Sequence, residues 1–403
     1  MNVALVDWYW MGHHQTYFVH FASALARAGC GIVPFYARPA DFLRCLEEEK
    51  LPEHIRQCIS EPVRIAPPDQ SGFRPARWRG QYDAWRYFGG LGSELRAWER
   101  QHGEKIDLVF FACIYDRQFR HFRFAERRFG YPWAGLYLHA RSFRMPGSPL
   151  PYQGGLPCPE EIFSSPLLRA AAVLDEKAVE PLQKIACGKP VFIFPDVTVE
   201  DLPPDAASKG LGAKIKEFAA GRPIVSLSGH LQWTKGFDVF TQMASRSDMR
   251  DVFFFLGGDV SWTEIPPADR QELQKAWEEC PNLYVHLQHL PEPSMNSVYA
   301  VSDVVVAAYR AFPNSSNALT KAAVFERPIV VSDGYLMAER VRRYGMGEVV
   351  PEGDAAALCE TLRRMLQPAY QESLRDRARW REYREAHSAK RLNKVFAELV
   401  AAV

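Results

Sequence analysis

The sequence lacks the marks of several common protein classes. No apolar run approaches the roughly 20 residues that a membrane-spanning helix needs, and the opening segment MNVALVDWYW has neither a basic start nor an uninterrupted apolar stretch. There is no Gly-x-Ser-x-Gly motif, and no Gly-x-Gly-x-x-Gly motif follows the first apolar segment. These absences argue against a serine hydrolase and a dinucleotide-dependent dehydrogenase. We expect a cytoplasmic protein that begins with a buried strand.

The sequence also lacks an excess of either charge and any short pair of cysteines. Its 49 basic and 48 acidic side chains nearly cancel, which argues against a dedicated nucleic-acid binder. The eight cysteines are scattered, without the close pairs that are typical of zinc sites. We therefore expect a reduced compartment and no metal site.

The chain is long enough for two domains, since 403 residues exceed one ordinary core. Apolar runs alternate with amphipathic segments over residues 1–197, which predicts a first α/β domain. Proline, glycine and acidic residues become frequent over residues 198–222, as in an interdomain linker. Residues 223–369 repeat the α/β rhythm and predict a second domain. The charged tail, 370–403, is predicted to be helical and to cross back to the first domain.

The second half reads as alternating strands and helices. Strands are predicted at PIVSLSGHL, VFFFLGGD, LYVHLQHL, DVVVAAY and PIVVSD, and helices from Phe237, around SMNSVYAVS and after Ser316. This alternation is typical of a doubly wound parallel sheet, whose ligands bind beyond the carboxyl ends of the strands.

Five segments of this half, in their order along the chain, resemble the nucleotide-sugar domain of GT-B glycosyltransferases, most closely glycosyltransferase family 4. They are SLSGHLQWTKGFDVF, FFFLGGD, NLYVHLQHLPEPSMNSVYAVSDVVV, ALTKAAVFERPIVVSDG and GMGEVVPEGDAAAL. The resemblance implies a GT-B fold, in which two Rossmann-like doubly wound domains face each other across a cleft. It also implies a nucleoside-diphosphate-sugar donor and retention of anomeric configuration without a metal. The absence of an Asp-x-Asp triplet agrees, because that triplet clamps a metal-bound donor in the other major glycosyltransferase fold.

The donor site departs from the family pattern at three positions. Lys235 keeps the lysine of the Lys-Gly turn, but His230 stands where the family has an arginine. The two family glutamates, eight positions apart, are replaced by Pro313 and Lys321.

A diphosphate requires positive potential and hydrogen-bond donors, which other groups can supply. The turn at Ser315 and Ser316 precedes a predicted helix, whose first amides and dipole bind anions. The alternatives are that a serine only caps this helix and that the lysines are solvated surface groups. The predicted donor-binding residues are His230, Lys235, Gly236, Ser315, Ser316, Asn317 and Lys321.

In the first domain, Gly12 and His13 follow the first strand and are predicted to form a loop at the cleft. A glycine there lets backbone amides approach a ligand. His13 and its neighbour His14 would lie near the reacting centre, and the alternative is that both are only polar surface. His139, after the strand WAGLYLHA, resembles the family's active-site histidine and is the predicted catalytic residue, with a packing role as the alternative. Arg141 and Arg144 lie just beyond, where they would meet an anionic acceptor or be ordinary loop cations.

The expected function is transfer of a sugar from a nucleoside-diphosphate sugar to an unknown acceptor, which can be a glycan, a glycolipid or a small molecule. Neither a cofactor nor a metal is expected. One alternative is a catalytically silent relative that acts as a binding subunit. The other is a sugar-nucleotide epimerase or a phosphorylase on the same scaffold.

Residues 73–129 are rich in arginine and aromatic side chains, with 12 basic and 7 acidic residues between Arg74 and Arg128. Such a face is suited to anionic lipid headgroups, which would make the protein peripheral at the inner face of the membrane. The alternative is a pair of helices with core aromatics and solvated arginines.

Overall fold

The chain divides into two compact units in a computed structural model. One unit comprises Met1–Pro195 together with Ser388–Val403, and the other comprises Asp196–His387. The structure describes residues 1–10, 14–66, 76–114, 119, 121–140, 143–145, 159–198 and 210–403. Gly12, His13 and Arg141 therefore lie outside the described residues, as does much of the predicted linker.

The first unit contains a seven-stranded parallel sheet in the order β3-β2-β1-β4-β5-β6-β7. The central strands carry only buried residues, so each reads as an unbroken apolar run rather than an alternating one. The strands are β1 (Asn2–Asp7), β2 (Gly31–Tyr36), β3 (Val63–Arg64), β4 (Leu108–Ile114), β5 (Trp133–Tyr137), β6 (Leu168–Val173) and β7 (Val191–Ile193).

Helices connect these strands. They are α1 (His14–Arg27), α2 (Pro39–Glu48), α3 (Glu53–Arg56), α4 (Ala76–His102), α5 (Phe122–Phe129) and α6 (Val179–Ile185), with the C-terminal helix α16 (Ala389–Ala402) added to them. Helix α16 belongs to this unit because Phe396 packs among aromatic rings. Its ring centroid lies 5.2 Å from those of Phe21 and Phe110, and 4.9 Å from that of Phe194.

The second unit contains a six-stranded parallel sheet in the order β10-β9-β8-β11-β12-β13. Strand β8 pairs on one side with its successor β9 and on the other with β11, so the strand order reverses between β8 and β11. Ligands bind at such a switch point in doubly wound sheets. The strands are β8 (Ile224–Ser228), β9 (Phe253–Gly257), β10 (Leu283–His286), β11 (Val304–Ala307), β12 (Ile329–Ser332) and β13 (Gly347–Val350).

The helices of this unit are α7 (Gly210–Ala219), α8 (Phe237–Ala244), α9 (Pro267–Glu279), α10 (Glu292–Val301), α11 (Asn317–Val324), α12 (Leu336–Tyr344), α13 (Ala355–Met365), α14 (Pro368–Arg377) and α15 (Trp380–Ala386). Part of the predicted linker is helix α7, whose Ile215 and Ala219 are buried with strand and helix residues of this unit. The predicted tail is divided, since α14 and α15 lie in this unit and α16 in the first.

Both sheets are parallel and doubly wound, with an α-helix between most successive strands and a 3-10 helix, Pro159–Ser164, between β5 and β6. This confirms the prediction of two Rossmann-like α/β domains. Within the described part of the chain, none of the helices is both long and apolar enough to cross a bilayer.

Candidate functional site

The Lys-Gly turn follows β8 and leads directly into α8. A short 3-10 turn, Trp233–Lys235, ends at Gly236, which has a φ of 69°. A Cβ atom on Gly236 would lie 2.9 Å from the carbonyl oxygen of Ala308, so both the backbone angle and the close approach favour glycine. The turn is thereby held against the segment that follows β11.

Lys235 is oriented by two aromatic rings. Its ammonium nitrogen lies 3.8 Å from the ring centroid of Tyr309 and 4.9 Å from that of Phe312. Tyr309 is buried, and Lys235 is half-buried. Because the negative faces of both rings attract the cation, the lysine is positioned at the carboxyl edge of the sheet before any ligand arrives.

A second cation, Arg310, joins the loops after β8 and β11. Its guanidinium donates to both carboxylate oxygens of Asp238, at 2.8 and 2.5 Å. It also lies over the ring of Trp233, 4.8 Å from the centroid. The next residue, Ala311, has a φ of 43°, an unusual backbone angle for a residue with a side chain. This role of Arg310 was not predictable from the sequence, because its partner Asp238 is 72 residues away.

The predicted Ser-Ser-Asn turn begins α11. Ser316 is the N-cap residue, and its hydroxyl accepts a 3.4 Å hydrogen bond from the amide of Ala318. Ser316 therefore caps the helix, which is the role that the alternative prediction gave to a serine of this turn. Asn317 is the first helical residue, so its amide has no acceptor within the helix. This amide and the helix dipole are the groups that α11 offers to an anion.

The side chains of this turn are engaged by residues 196–198. The hydroxyl of Ser315 donates to Asp196 at 2.5 Å and accepts from Arg340 at 2.8 Å. The side chain of Asn317 donates to the carbonyl oxygen of Val197 at 3.0 Å and accepts from Thr198 at 2.8 Å. These contacts fix the start of α11, so the backbone, rather than these side chains, is the part that it offers to an anion.

Lys321 is buried, with 4% of its surface exposed. Its ammonium donates to Glu292 at 2.6 Å and to Asn296 at 2.7 Å, both on α10. Burial lowers the pKa of Lys321, and the carboxylate of Glu292 opposes that change. The charge of Lys321 is thus matched inside the unit, in a position that joins α10 to α11.

His230 lies in the loop after β8 and is oriented by Asp259. Its Nδ1 is 2.5 Å from a carboxylate oxygen of Asp259, and each side chain is 45% exposed. His289 approaches the other oxygen of Asp259 at 3.9 Å. The imidazole of His230 therefore takes a defined orientation at the same edge of the sheet as Lys235.

In the first unit, His139 lies two residues beyond β5 and is half-buried, at the carboxyl end of the sheet. The guanidinium of Arg144 binds Asp175 through two hydrogen bonds, one of them 2.7 Å long. Arg144 is therefore an ion-pair partner within the unit. Asp7 and His14 form a buried pair at the end of β1, with 2.8 Å between carboxylate oxygen and Nδ1.

The structure thus brings Lys235, Gly236 and the start of α11 to one edge of the second sheet, at the switch point between β8 and β11. His230 shares that edge. Lys321 lies within the unit rather than at its surface.

Comparison with known protein families gives a match in this half of the chain. Residues 222–368 match the family model described as glycosyl transferases group 1. Among curated proteins, none matches this chain in sequence.

Solved structures similar to this chain extend the likeness to both units. HepE of Anabaena, solved with UDP and glucose, has a TM-score of 0.69 at 12% identity, with 100% of both chains covered. Sucrose-phosphate synthase of Thermosynechococcus elongatus has a TM-score of 0.67 at 16% identity, also over 100% of both chains. A UDP-forming trehalose-phosphate synthase of Burkholderia xenovorans has a TM-score of 0.69 at 12% identity, over 99% of this chain and 98% of its own. At these identities the likeness shows the fold, which is GT-B.

Proposed function

We propose that this protein, whose residues 222–368 match the family model for group 1 glycosyl transferases, transfers a sugar from a nucleoside-diphosphate sugar to an acceptor. The bond between the anomeric carbon and the diphosphate oxygen breaks, and the acceptor oxygen bonds to that carbon as it loses its proton. The observation that carries the proposal is the ammonium of Lys235, held on the faces of Tyr309 and Phe312 in the loop that leads from β11 to α11. This cation and the N-terminus of α11 belong to the same edge of the sheet, and both attract a diphosphate.

Charge stabilisation is the chemical task of this site. Negative charge accumulates on the diphosphate as it leaves, and groups oriented in advance stabilise it without further reorganisation. Lys235 and the first amide of α11 supply that stabilisation, and His230 adds a donor oriented by Asp259. In the first unit, His139 is the proposed catalytic residue beside the transferred sugar. We include retention of anomeric configuration and no metal requirement in the proposal, as the resemblance to family 4 implies.

UDP is the nucleotide that we propose for the donor. HepE was solved with UDP and with UDP-glucose, and the Burkholderia enzyme is described as UDP-forming. The acceptor is proposed only as a hydroxyl-bearing glycan, glycolipid or small molecule.

The first test is a thermal-shift series with UDP, ADP, GDP, TDP and CDP, because a ligand that binds the folded state alone raises the melting temperature. We expect a rise with UDP. Release of UDP from UDP-glucose, with and without candidate acceptors, then tests transfer. Binding without any turnover would favour the silent relative, and formation of a second sugar nucleotide without acceptor would favour an epimerase.

We also propose that one face of the first unit contacts an anionic membrane surface. On this face, the α4–α5 face, Phe124 is 63% exposed and Trp85 is 42% exposed. The guanidinium of Arg128 lies 3.8 Å from the ring centroid of Trp85, which joins the two helices at this surface. Arg86 and Arg127 are exposed beside them.

The composition of the α4–α5 face supports this partner. Aromatic rings partition into the headgroup region, and arginines attract anionic lipids. Among the described side chains around Trp85 and Phe124, the exposed arginines Arg86, Arg127 and Arg128 outnumber the exposed carboxylate of Asp83. An acceptor that is itself a membrane lipid would then be presented close to the first unit.

A further inference from the structure

A group of chemically active side chains lies in the first unit, at the ends of two neighbouring strands. Asp7 ends β1, His14 begins α1 and Cys113 lies near the end of β4. Their potential ligand atoms, one per residue, all lie within 4.8 Å of one another. All three residues are buried, with exposures of 1%, 6% and 3%.

The structure assigns a zinc site to Asp7, His14 and Cys113, and we propose that this trio binds one Zn²⁺ ion. A carboxylate oxygen, an imidazole nitrogen and a thiolate sulfur are the three ligand types that zinc takes in proteins. Magnesium and calcium prefer sites made of oxygen alone. The mixed set therefore favours zinc over those two cations.

The spacing of the ligand atoms suits this ion. Tetrahedral coordination at zinc's usual bond lengths places neighbouring ligand atoms roughly 3.3–3.7 Å apart. The carboxylate oxygen of Asp7 and Nδ1 of His14 are 2.8 Å apart, so a shift of about half an ångström would open them around the ion.

Charge balance supports the same ion. A cysteine thiol is ordinarily neutral at pH 7, and it binds zinc as the thiolate. Binding Zn²⁺ would displace one proton from Cys113 to the buffer, and the ion with one carboxylate and one thiolate would carry no net charge. A neutral cluster is far cheaper to bury than an isolated ion.

An independent observation comes from Tyr36, which is fully buried and whose hydroxyl has no hydrogen-bond partner among the described residues. Tyr36 is the direct cross-strand partner of Asp7, so both side chains leave the same face of the sheet.

Three protein ligands leave the fourth position of a tetrahedral zinc ion open. A water molecule in that position would give the hydroxyl of Tyr36 a partner. The ion would tie the start of α1 to the ends of β1 and β4, and it takes no part in the proposed transfer.

Cobalt is the probe for this site, because a thiolate bound to Co²⁺ gives an intense near-ultraviolet charge-transfer band. We expect the band to saturate at one equivalent of Co²⁺ and to disappear when Zn²⁺ is added. Cys113→Ser should abolish it. Cys30→Ser, which alters another buried cysteine of this unit, should leave it unchanged.

Asp7→Asn tests the cluster without touching the thiol, and we expect a roughly tenfold or greater loss of Zn²⁺ affinity, measured with a chromogenic chelator. Circular dichroism checks that each variant folds. If Cys113→Ser fails to fold, two other results test the site. Asp7→Asn should bind Zn²⁺ more weakly, and Zn²⁺ but not Mg²⁺ should raise the melting temperature of the wild type. No charge-transfer band in the wild type, or an equal band in Cys113→Ser, would overturn the zinc site.

Discussion

The ammonium of Lys235 lies 3.8 Å from the centre of the Tyr309 ring, although the two residues belong to loops that follow different strands. Strands β8 and β11 pair directly, with Val304 opposite Val225, so their carboxyl ends bring these loops together. The contact holds a flexible side chain in one place, which reduces the entropy that a ligand would have to remove.

Lys235→Ala should weaken UDP binding about 10- to 100-fold, because a hydrogen bond to a charged group contributes roughly 1.5–3 kcal/mol. Isothermal titration calorimetry measures the change. Lys275→Ala is the matched control, since Lys275 lies on α9 with 73% of its side chain exposed. Equal affinity for UDP in the wild type and Lys235→Ala would show that Lys235 does not contact the donor.

Tyr309→Leu should also weaken UDP binding, by about 0.5–2 kcal/mol, because it removes an aromatic face that orients Lys235. Tyr309→Phe keeps that face and should bind UDP like the wild type. A loss of the same size in both variants would assign the effect to the hydroxyl of Tyr309 instead.

Lys321→Met should mainly destabilise the second unit. The substitution removes hydrogen bonds to Glu292 and Asn296, and such a loss costs about 1–3 kcal/mol. Urea unfolding measures it. Lys275→Met, which breaks an exposed pair with Glu279, should change the free energy of unfolding by about 0.5 kcal/mol or less. Weaker UDP binding with unchanged stability would instead support the sequence prediction that Lys321 contacts the donor.

The elements around the donor site were predictable from sequence because each is locally encoded. The run PIVSLSGHL predicts the strand that the structure places at Ile224–Ser228, and the predicted helix starts at Phe237 and after Ser316 agree with α8 and α11. Gly236 was predictable as well, since a glycine between a polar turn and a helix indicates an unusual backbone angle.

The partners of the site residues were not predictable, because they depend on which helix faces meet. Lys321 and Glu292 are 29 positions apart, and Ser315 and Asp196 are 119 apart. No local pattern distinguishes a lysine that faces a neighbouring helix from one that faces solvent. The proximity of Asp7 and Cys113 was likewise not predictable, because it depends on the pairing of β1 with β4.

Phe124→Ser combined with Arg127→Glu should release the protein from anionic vesicles. The charge reversal alone removes about 2 kcal/mol of attraction, at roughly 1 kcal/mol for each unit of charge. Flotation with vesicles of phosphatidylcholine and phosphatidylserine should recover the wild type but not the variant. Phe218→Ser, which alters an exposed phenylalanine of α7 in the second unit, is the control. If the wild-type protein does not bind these vesicles, the proposed membrane contact is wrong.

Acid should destabilise the second unit through His387. This residue is buried, and its Nδ1 accepts a 3.0 Å hydrogen bond from the amide of Asp196, which requires an unprotonated nitrogen. Burial lowers the pKa of His387 well below its usual value, and Arg340 and Arg343 lower it further. In the unfolded chain the same imidazole takes up a proton near pH 6.5.

The unfolded state therefore binds more protons than the folded state once the pH falls below about 6.5, and the free energy of unfolding decreases by up to about 1.4 kcal/mol per pH unit. The contribution of neutral His387 to the free energy of unfolding is fully present above about pH 6.5, and it is lost as the pH falls toward the lowered pKa of His387 in the folded state. His387→Gln removes the titrating group, so its urea midpoint should change less between pH 7 and pH 5 than that of the wild type. His289→Gln, at a histidine with 76% of its side chain exposed, should keep the wild-type dependence. Parallel curves for wild type and His387→Gln would show that another group carries the acid sensitivity.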